Sequence, residues 1–193
     1  MPERSPRTRA RSRPLPDVTA PGLDVLFVGI NPGLMSAREG HHFANPANGF
    51  WRLLHESGFT SRQLSPREDG ELLKERLGIT NLVARASPGV SDLTPEDLER
   101  GAAELARKID RHRPRAVVFV GITGYAAFTR WRGRASGRRG PSPKAACGEQ
   151  PVEITGARVF VLPNPSGRNA HFTYRQMLAH FTAAARRLGR GPE

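Results

Sequence analysis

Four short apolar runs constrain the fold of this chain more than any other feature of the sequence. Three of them, at residues 24–30, 116–120 and 159–162, are continuous, whereas the one at 79–83 is a weak strand that contains Thr80 and Asn81. The segments between them carry apolar residues at helical spacing. An uninterrupted apolar run of this length is typical of a strand buried on both faces. Strands that alternate with helices form a parallel sheet covered on both sides. We therefore predict an α/β fold with three α/β/α layers around a short central parallel sheet.

The predicted helices lie between and after these strands. Their approximate ranges are 47–54, 64–77, 94–109 and 174–188, and a short helix that ends at 128 follows a turn at 121–124. The clearest start is at Thr94, because a threonine caps a helix well and Pro95 suits its first position. The last helix carries its apolar residues on one face, as expected for a helix that packs on the sheet.

Positive charge is concentrated outside this pattern. The chain has 30 Lys and Arg against 18 Asp and Glu, a formal net charge of +12. Such a field attracts polyanions, of which DNA and RNA are the usual examples, although the charge could also serve solubility alone. Residues 1–20 contain five arginines, and we predict that they form a disordered basic arm. The folded domain then spans 21–190, with a flexible basic loop near 130–150.

Composition also excludes several classes of site. Cys147 is the only cysteine, so the chain has no intrachain disulfide and no four-thiolate metal centre. The histidines lack metal-ligand spacing, and we expect neither a metal nor a cofactor. No apolar run approaches the ~18 residues that a membrane helix needs, and no signal-peptide core is evident. The expectation is a cytoplasmic monomer without membrane contact.

Two predicted strands end in polar turns that contain glycine. The first turn covers residues 29–33 and includes Asn31, and the second covers 164–167 and includes Asn164. In open parallel sheets, ligands bind at the carboxyl ends of the strands, where both turns must lie. Either turn alone has an alternative interpretation as a tight strand exit, because Asn-Pro and Pro-Gly are common turn formers. Two matched turns favour a site.

Three segments resemble one enzyme family. Residues 29–51 (GINPGLMSAREGHHFANPANGFW), 78–102 and 161–170 (VLPNPSGRNA) are similar, in this order, to motifs of the mismatch-specific uracil and thymine DNA glycosylases. The resemblance runs from about residue 21 to 188 and fails near 130–150. It implies a uracil-DNA glycosylase-like fold and a base excision repair enzyme that acts on double-stranded DNA with a mismatched or damaged base. The implied reaction is hydrolysis of the N-glycosidic bond of uracil, especially opposite guanine, with thymine and related bases as further candidates.

The resemblance also implies roles for individual residues. Asn31 matches the catalytic asparagine that holds the attacking water, and Thr80 matches a threonine that helps to position it. The residues implied to contact the flipped base are Ile30, Gly33, Ser36 and Phe43. Those implied to contact DNA are Asn164, Ser166, Gly167, Arg168 and Asn169. Arg168 stands where several members carry a leucine wedge that fills the gap left by the flipped base.

The chemistry of these residues is consistent with that reaction. Extruding a base from a duplex costs a few kcal/mol, and stacking on an aromatic ring recovers roughly 1–3 kcal/mol. A neutral asparagine orients water but is not a strong base, so we expect a slow enzyme that favours good leaving groups. Neither motif holds an amine nucleophile, so no lyase step is expected. The alternatives are a non-catalytic nucleic-acid-binding protein on the same fold and a glycosylase for another lesion, such as ethenocytosine or a deaminated purine.

Overall fold

The protein has a five-stranded sheet covered by helices on both faces. The structure is a computed structural model that describes residues 14–137, 145–167 and 169–191. The strands are Val25–Gly29 (β1), Leu77–Asn81 (β2), Ala116–Val120 (β3), Gly148–Ile154 (β4) and Ala157–Leu162 (β5). Their order is β2-β1-β3-β5-β4, and only the pairing between β4 and β5 is antiparallel. The predicted α/β fold class is confirmed.

Within the described part of the chain, five α-helices connect or follow the strands. They are Leu34–Glu39 (α1), Phe50–Glu56 (α2), Pro95–His112 (α3), Ile122–Ala135 (α4) and Tyr174–Arg187 (α5). The helix α3 begins after Thr94 as predicted, since the Thr94 hydroxyl accepts from the Asp97 amide. The helix predicted at 64–77 is instead a 3₁₀ segment, Pro66–Glu75. Within the described residues, no helix has the length and apolar character needed to cross a membrane.

Alternation along the strands divides the core into two layers. On one face of the sheet, Phe27, Ile79 and Phe160 pack with the buried side chains of α2 and α5. On the other face, Leu26, Val28 and Val161 pack with those of α3 and α4. Successive strand residues point to opposite faces, so each strand supplies both layers. The parity of a residue within its strand therefore decides which layer its side chain joins.

Two regions differ from the sequence prediction. The strand β4 was not predicted, and it makes an antiparallel edge on a sheet that we expected to be wholly parallel. Its exposed positions alternate with half-buried ones and Pro151 interrupts it, so it lacks the apolar run that marks a central strand. The helix α4 extends to Ala135, so residues 130–135 are helical rather than part of a loop. Residues 138–144 of the predicted loop lie outside the described residues.

The predicted disordered arm is wrong for its last part. Val18 pairs with Ile79 of β2 through two backbone hydrogen bonds of 2.8 and 2.9 Å. Leu15 is buried. Residues 14–18 therefore cover the free edge of β2, an arrangement that satisfies edge groups otherwise left open. Residues 1–13, which contain all five arginines of the predicted arm, lie outside the described residues.

Candidate active site

A cavity of about 160 Å³ lies at the carboxyl ends of β1 and β2, next to the turn that follows β5. An engineered cavity of about 150 Å³ holds benzene, so this volume suits one six-membered ring. The polar side chains that line it include those of Asn31, Ser36, His42, Asn81, Ser87 and Asn164. No Asp, Glu, Lys or Arg is among the described residues that line it. The cavity is therefore polar without being charged.

Asn31 follows β1 directly, and both N–H bonds of its side-chain amide are occupied. Its Nδ2 donates to the Pro32 carbonyl at 3.0 Å and to the Ser87 hydroxyl at 2.9 Å. Ser87 Oγ donates its own hydrogen to the Gly89 carbonyl at 2.5 Å, so it can only accept the hydrogen bond from Asn31. This fixes the direction of the Asn31 amide. Its Oδ1 is left as an acceptor with no partner among the described residues.

Phe43 supplies an aromatic wall of the cavity. Its ring stacks on Phe50 with the ring centroids 4.0 Å apart and an angle of 21° between the planes. Phe50 is fully buried and does not line the cavity, so the opposite face of Phe43 is the one available to a ligand. Phe43 has φ of 51°, a left-handed conformation that costs energy for a residue with a side chain. The fold thus maintains a strained backbone to place this ring.

The other residues expected to contact the base also lie at the cavity. Ile30, Gly33 and Ser36 all line it. The buried Ser36 hydroxyl accepts from the backbone amide of Ala44, which ties the start of α1 to the segment after Phe43. The structure therefore brings together Asn31 and all four residues that were predicted to contact the base.

Comparison with known proteins identifies the family. The sequence profile described as the uracil DNA glycosylase superfamily matches residues 16–189. The chain belongs to this superfamily. A solution NMR structure of a candidate uracil DNA glycosylase from Methanosarcina acetivorans has the same fold, with a TM-score of 0.62. The match covers 93% of this chain and 99% of that one at 20% sequence identity.

Within this uracil DNA glycosylase fold, the structure does not place Thr80 at the cavity. Thr80 is fully buried, and its hydroxyl donates to Asp17 at 2.6 Å and accepts from Lys108 at 3.0 Å. It shares the face of the sheet that packs against α3. Asn81, one residue later, points to the opposite face and lines the cavity. Thr80 is therefore not among the residues that line the cavity, and the hydroxyl group that contacts Asn31 belongs to Ser87.

Sequence reasoning missed both Asn81 and Ser87. The alternation Leu77-Ile79-Asn81 was the available signal for Asn81, because an apolar pair with this spacing places the next odd residue on the same face. For Ser87, the available signal was weaker. It opens a Ser-Pro-Gly turn, a pattern with many structural uses.

The two histidines at this site have different partners. His42 is buried, with its Nε2 2.9 Å from the Pro16 carbonyl and its Nδ1 3.4 Å from Asn81 Nδ2. Burial lowers the pKa of His42, and this outweighs the raising effects of the Pro16 carbonyl and nearby carboxylates. His41 does not line the cavity and pairs with Asp69 at 3.3 Å. His42 is therefore neutral at pH 7, and His41 has a structural partner.

The turn after β5 forms the opposite rim of the cavity. Asn164 and Ser166 line it, whereas Gly167 packs against the backbone of Ala47. Asn169 Nδ2 donates to the Asn164 carbonyl at 2.8 Å and closes the turn. The Pro165 carbonyl accepts from the amide of Gly49, the residue that precedes α2. Arg168 lies outside the described residues.

Proposed function

We propose that this protein is a monofunctional DNA glycosylase that hydrolyses the N-glycosidic bond of uracil in DNA, with uracil opposite guanine as its main substrate in base excision repair. The observation that carries the proposal is the Asn31 amide. Its two N–H bonds are occupied by Pro32 and Ser87, so its oxygen is the group of the amide that has no partner among the described residues. That oxygen can accept a hydrogen from a water molecule and direct a lone pair of the water at the sugar.

The reaction follows from this geometry. A flipped uracil stacks on the open face of Phe43, and the ring fits a cavity of about 160 Å³. Water held by Asn31 bonds to C1′ as the C1′–N1 bond breaks, and the electron pair leaves with the base. The proton lost by the water passes to solvent or to the departing base. Because Asn31 orients water without acting as a strong base, the rate depends on how well the base leaves.

The absence of charged side chains among the described residues that line the cavity limits the reactions that it can catalyse. The departing uracil carries negative charge, and the neutral amides and hydroxyls around it can donate hydrogen bonds without a fixed cation. No lysine is among the described residues that line the cavity. A Schiff base with the sugar needs such an amine, so the proposal is hydrolysis without strand cleavage.

The turn at residues 164–169 is the proposed contact with the duplex. The Asn164 carbonyl accepts from Asn169 and the Pro165 carbonyl accepts from the Gly49 amide, so these described residues of the turn are held beside the cavity. In the sequence, Arg168 stands between Gly167 and Asn169 of this segment. An arginine can fill the gap left by the flipped base, since its guanidinium plane stacks and donates hydrogen bonds.

The direct test is single-turnover excision on a panel of substrates. The panel contains uracil opposite guanine, uracil opposite adenine, uracil in a single strand, thymine opposite guanine and ethenocytosine opposite guanine. The proposal expects the fastest excision for uracil opposite guanine and no strand cleavage without added alkali. Tight binding with no excision of any base would instead identify a non-catalytic nucleic-acid-binding protein. Faster excision of ethenocytosine would identify a glycosylase for another lesion.

The wedge has a separate test. Arg168→Ala should slow excision of paired uracil by about tenfold and leave uracil in a single strand nearly unchanged, because only the duplex has a gap to fill. Arg175→Ala is the matched control, since Arg175 is an exposed arginine at the start of α5. An equal loss on both substrates would contradict the wedge role.

A further inference from the structure

Residues 14–18, here called the N-terminal segment, extend to the edge of the sheet where the active site lies. The antiparallel bridge between Val18 and Ile79 places the segment beside β2. Residues that precede Val18 therefore run toward the carboxyl end of β2, because the two stretches of chain have opposite directions. Leu15 lies in this part of the segment and lines the cavity of about 160 Å³. The direction of the segment thus explains why one of its side chains lies at the active site.

Leu15 differs from its neighbours in the chain because it is buried. Its exposed fraction is 7%, whereas Pro14 and Pro16 are exposed. Among the described residues, Leu15 belongs to neither of the two core layers. A buried leucine usually packs in such a layer, where its burial contributes about 1.5–3 kcal/mol. Leu15 instead contributes apolar surface to the cavity, so its size affects the room that a ligand has.

The two residues that follow this leucine in the chain anchor the segment. Asp17 forms an ion pair with Lys108 of α3 at 2.6 Å and accepts from the Thr80 hydroxyl at 2.6 Å. The Pro16 carbonyl lies 2.9 Å from Nε2 of the buried His42, which also lines the cavity. These contacts attach the segment to β2, to α3 and to the cavity wall. The leucine is therefore held in place by its chain neighbours rather than by the core.

The order of the strands determines which side of the cavity Leu15 occupies. Across the sheet, the order is N-terminal segment, β2, β1, β3 and β5. Asn31 follows β1 in the middle of this order, and Asn164 follows β5 at the other end of it. Neighbouring strands are about 4.8 Å apart, so Leu15 and Asn164 lie on opposite sides of Asn31. Leu15 is thus on the side of the cavity away from the turn at 164–169.

We propose that Leu15 limits the size of the base that the active site accepts, so that the wild-type protein disfavours bases with a second ring. This inference rests on the proposed excision of uracil, with the duplex at the turn 164–169. A base whose sugar lies at Asn31 then directs the part of its ring farthest from the sugar at Leu15. Ethenocytosine carries its second ring there, as a two-carbon bridge between N3 and the exocyclic nitrogen. One methylene group in an apolar pocket changes discrimination by about 10- to 200-fold.

The test measures single-turnover excision of uracil and of ethenocytosine, each opposite guanine. The readout is the rate for ethenocytosine divided by the rate for uracil. Leu15→Ala shortens the side chain at the cavity and should raise this ratio by about tenfold. Leu15→Met nearly conserves the volume of the side chain and should keep the wild-type ratio. Leu64→Ala is the matched control, because Leu64 is buried but is not among the residues that line the cavity. It should lower stability without changing the ratio.

Leu15→Phe changes the cavity in the opposite direction. The larger side chain takes up room that the base needs, so excision of uracil itself should fall by about tenfold. A wild-type ratio in Leu15→Ala together with a wild-type uracil rate in Leu15→Phe overturns the proposal. An equal rise of the ratio in Leu64→Ala also overturns it, as does faster excision of ethenocytosine than of uracil by the wild-type protein.

A further pair of variants leaves every cavity residue in place. Lys108→Met removes the ion-pair partner of Asp17 and should raise the ratio by about threefold, because the N-terminal segment is held less firmly. Arg107→Met, at the neighbouring position on α3, removes only an exposed pair with Glu104 and should not change the ratio. A wild-type ratio in Lys108→Met overturns the anchoring role of the ion pair.

Failure of this proposal is distinguishable from failure of the proposed function. If the wild-type protein excises no base, the proposed function is wrong. If it excises uracil and Leu15→Ala does not alter the ratio, only the role of Leu15 is wrong. Independently of excision, affinity can be measured for duplexes that carry 2′-fluorinated analogues of the two nucleotides, because the fluorine slows cleavage of the glycosidic bond. Leu15→Ala should bind the ethenocytosine analogue about tenfold more tightly relative to the uracil analogue. An unchanged affinity ratio overturns the proposal.

Discussion

Asn31 and Asn81 lie at the ends of neighbouring strands, and their side-chain amides are fixed in comparable ways. Each donates an N–H to a side chain whose own donor is bound to a backbone carbonyl. For Asn31 the intermediate is Ser87, which donates to the Gly89 carbonyl. For Asn81 the intermediate is His42, which is close to the Pro16 carbonyl. The two amides nevertheless present different groups to the cavity.

The two amides differ in the hydrogen-bonding groups that they leave available to a ligand. Asn31 uses both N–H bonds within the protein and presents only an acceptor, which suits a water molecule. Asn81 has one N–H directed at His42 and retains a second one beside its oxygen, a pair of groups that suits the edge of a base. We therefore expect the Asn31 amide to orient water and the Asn81 amide to contact the base. Four experiments, in order of decreasing expected effect, test this division.

The largest effect is expected for Asn31→Ala. Without the acceptor, the water is no longer oriented, and the single-turnover rate on uracil opposite guanine should fall by about a hundredfold or more. Affinity for the same duplex should stay within about threefold of the wild-type value, because no phosphate contact is lost. A rate near that of the wild type would contradict the role of Asn31 and remove the basis of the comparison.

Gly29→Ala displaces the Asn81 amide without replacing Asn81 itself. Its Cβ would lie 2.6 Å from Asn81 Oδ1, so the amide must move away from its position. Gly29 does not have a positive φ, so the substitution adds no backbone strain. Excision of uracil should fall by about tenfold to thirtyfold. The control is Gly70→Ala, whose Cβ would meet no atom within 4 Å; an equal loss in the control would point to general destabilisation.

Ser87→Ala tests how the Asn31 amide is fixed. Removing the hydroxyl leaves one N–H of Asn31 without its partner, so we expect the rate to fall by about threefold to tenfold. Thr80→Val is the comparison variant. It should lower the thermal midpoint, because it removes hydrogen bonds to Asp17 and Lys108, while the rate on uracil changes little. A larger rate loss for Thr80→Val than for Ser87→Ala would restore Thr80 as the residue closer to the chemistry.

The smallest effect is expected for the pH dependence of stability that comes from His42, the histidine that contacts Asn81. Burial lowers the pKa of His42, more strongly than the Pro16 carbonyl, Asp69 and Asp17 raise it, and Lys108 also lowers it. The unfolded chain therefore binds a proton at this histidine more readily than the folded chain does. The stability is present above about pH 6.5 and is lost as pH falls below that value.

Thermal unfolding of the wild-type protein measures this effect. The midpoint should fall between pH 7.5 and pH 5.5, and His42→Gln should flatten that decline. The Ser87→Ala variant should retain the same decline, because Ser87 does not titrate in this range. A decline that is the same in His42→Gln and in the wild-type protein would exclude His42 as its source.

The local signals in the sequence determined the strands, the principal helices and one half of the active site. Three continuous apolar runs and the weaker run at 79–83 predicted the four parallel strands, because a strand buried on both faces needs mainly apolar residues. The Thr94 cap and the paired turns at Asn31 and Asn164 are similarly local, since strand exits in a parallel sheet share one edge. That was sufficient to place Asn31, Phe43 and Ser36 at the same cavity.

The remaining residues of the candidate active site could be identified only from the tertiary structure. Whether Thr80 or Asn81 faces the cavity depends on which face of β2 meets α3, and a shift of one residue exchanges the two. The contacts of Asn31 with Ser87 and of His42 with Pro16 join residues 56 and 26 positions apart. No local pattern encodes such a pair, because chain folding alone brings its members together. For the same reason the sequence separated residues 14–18 from the domain, although in the structure they pack against β2 and Leu15 lines the cavity of the candidate active site.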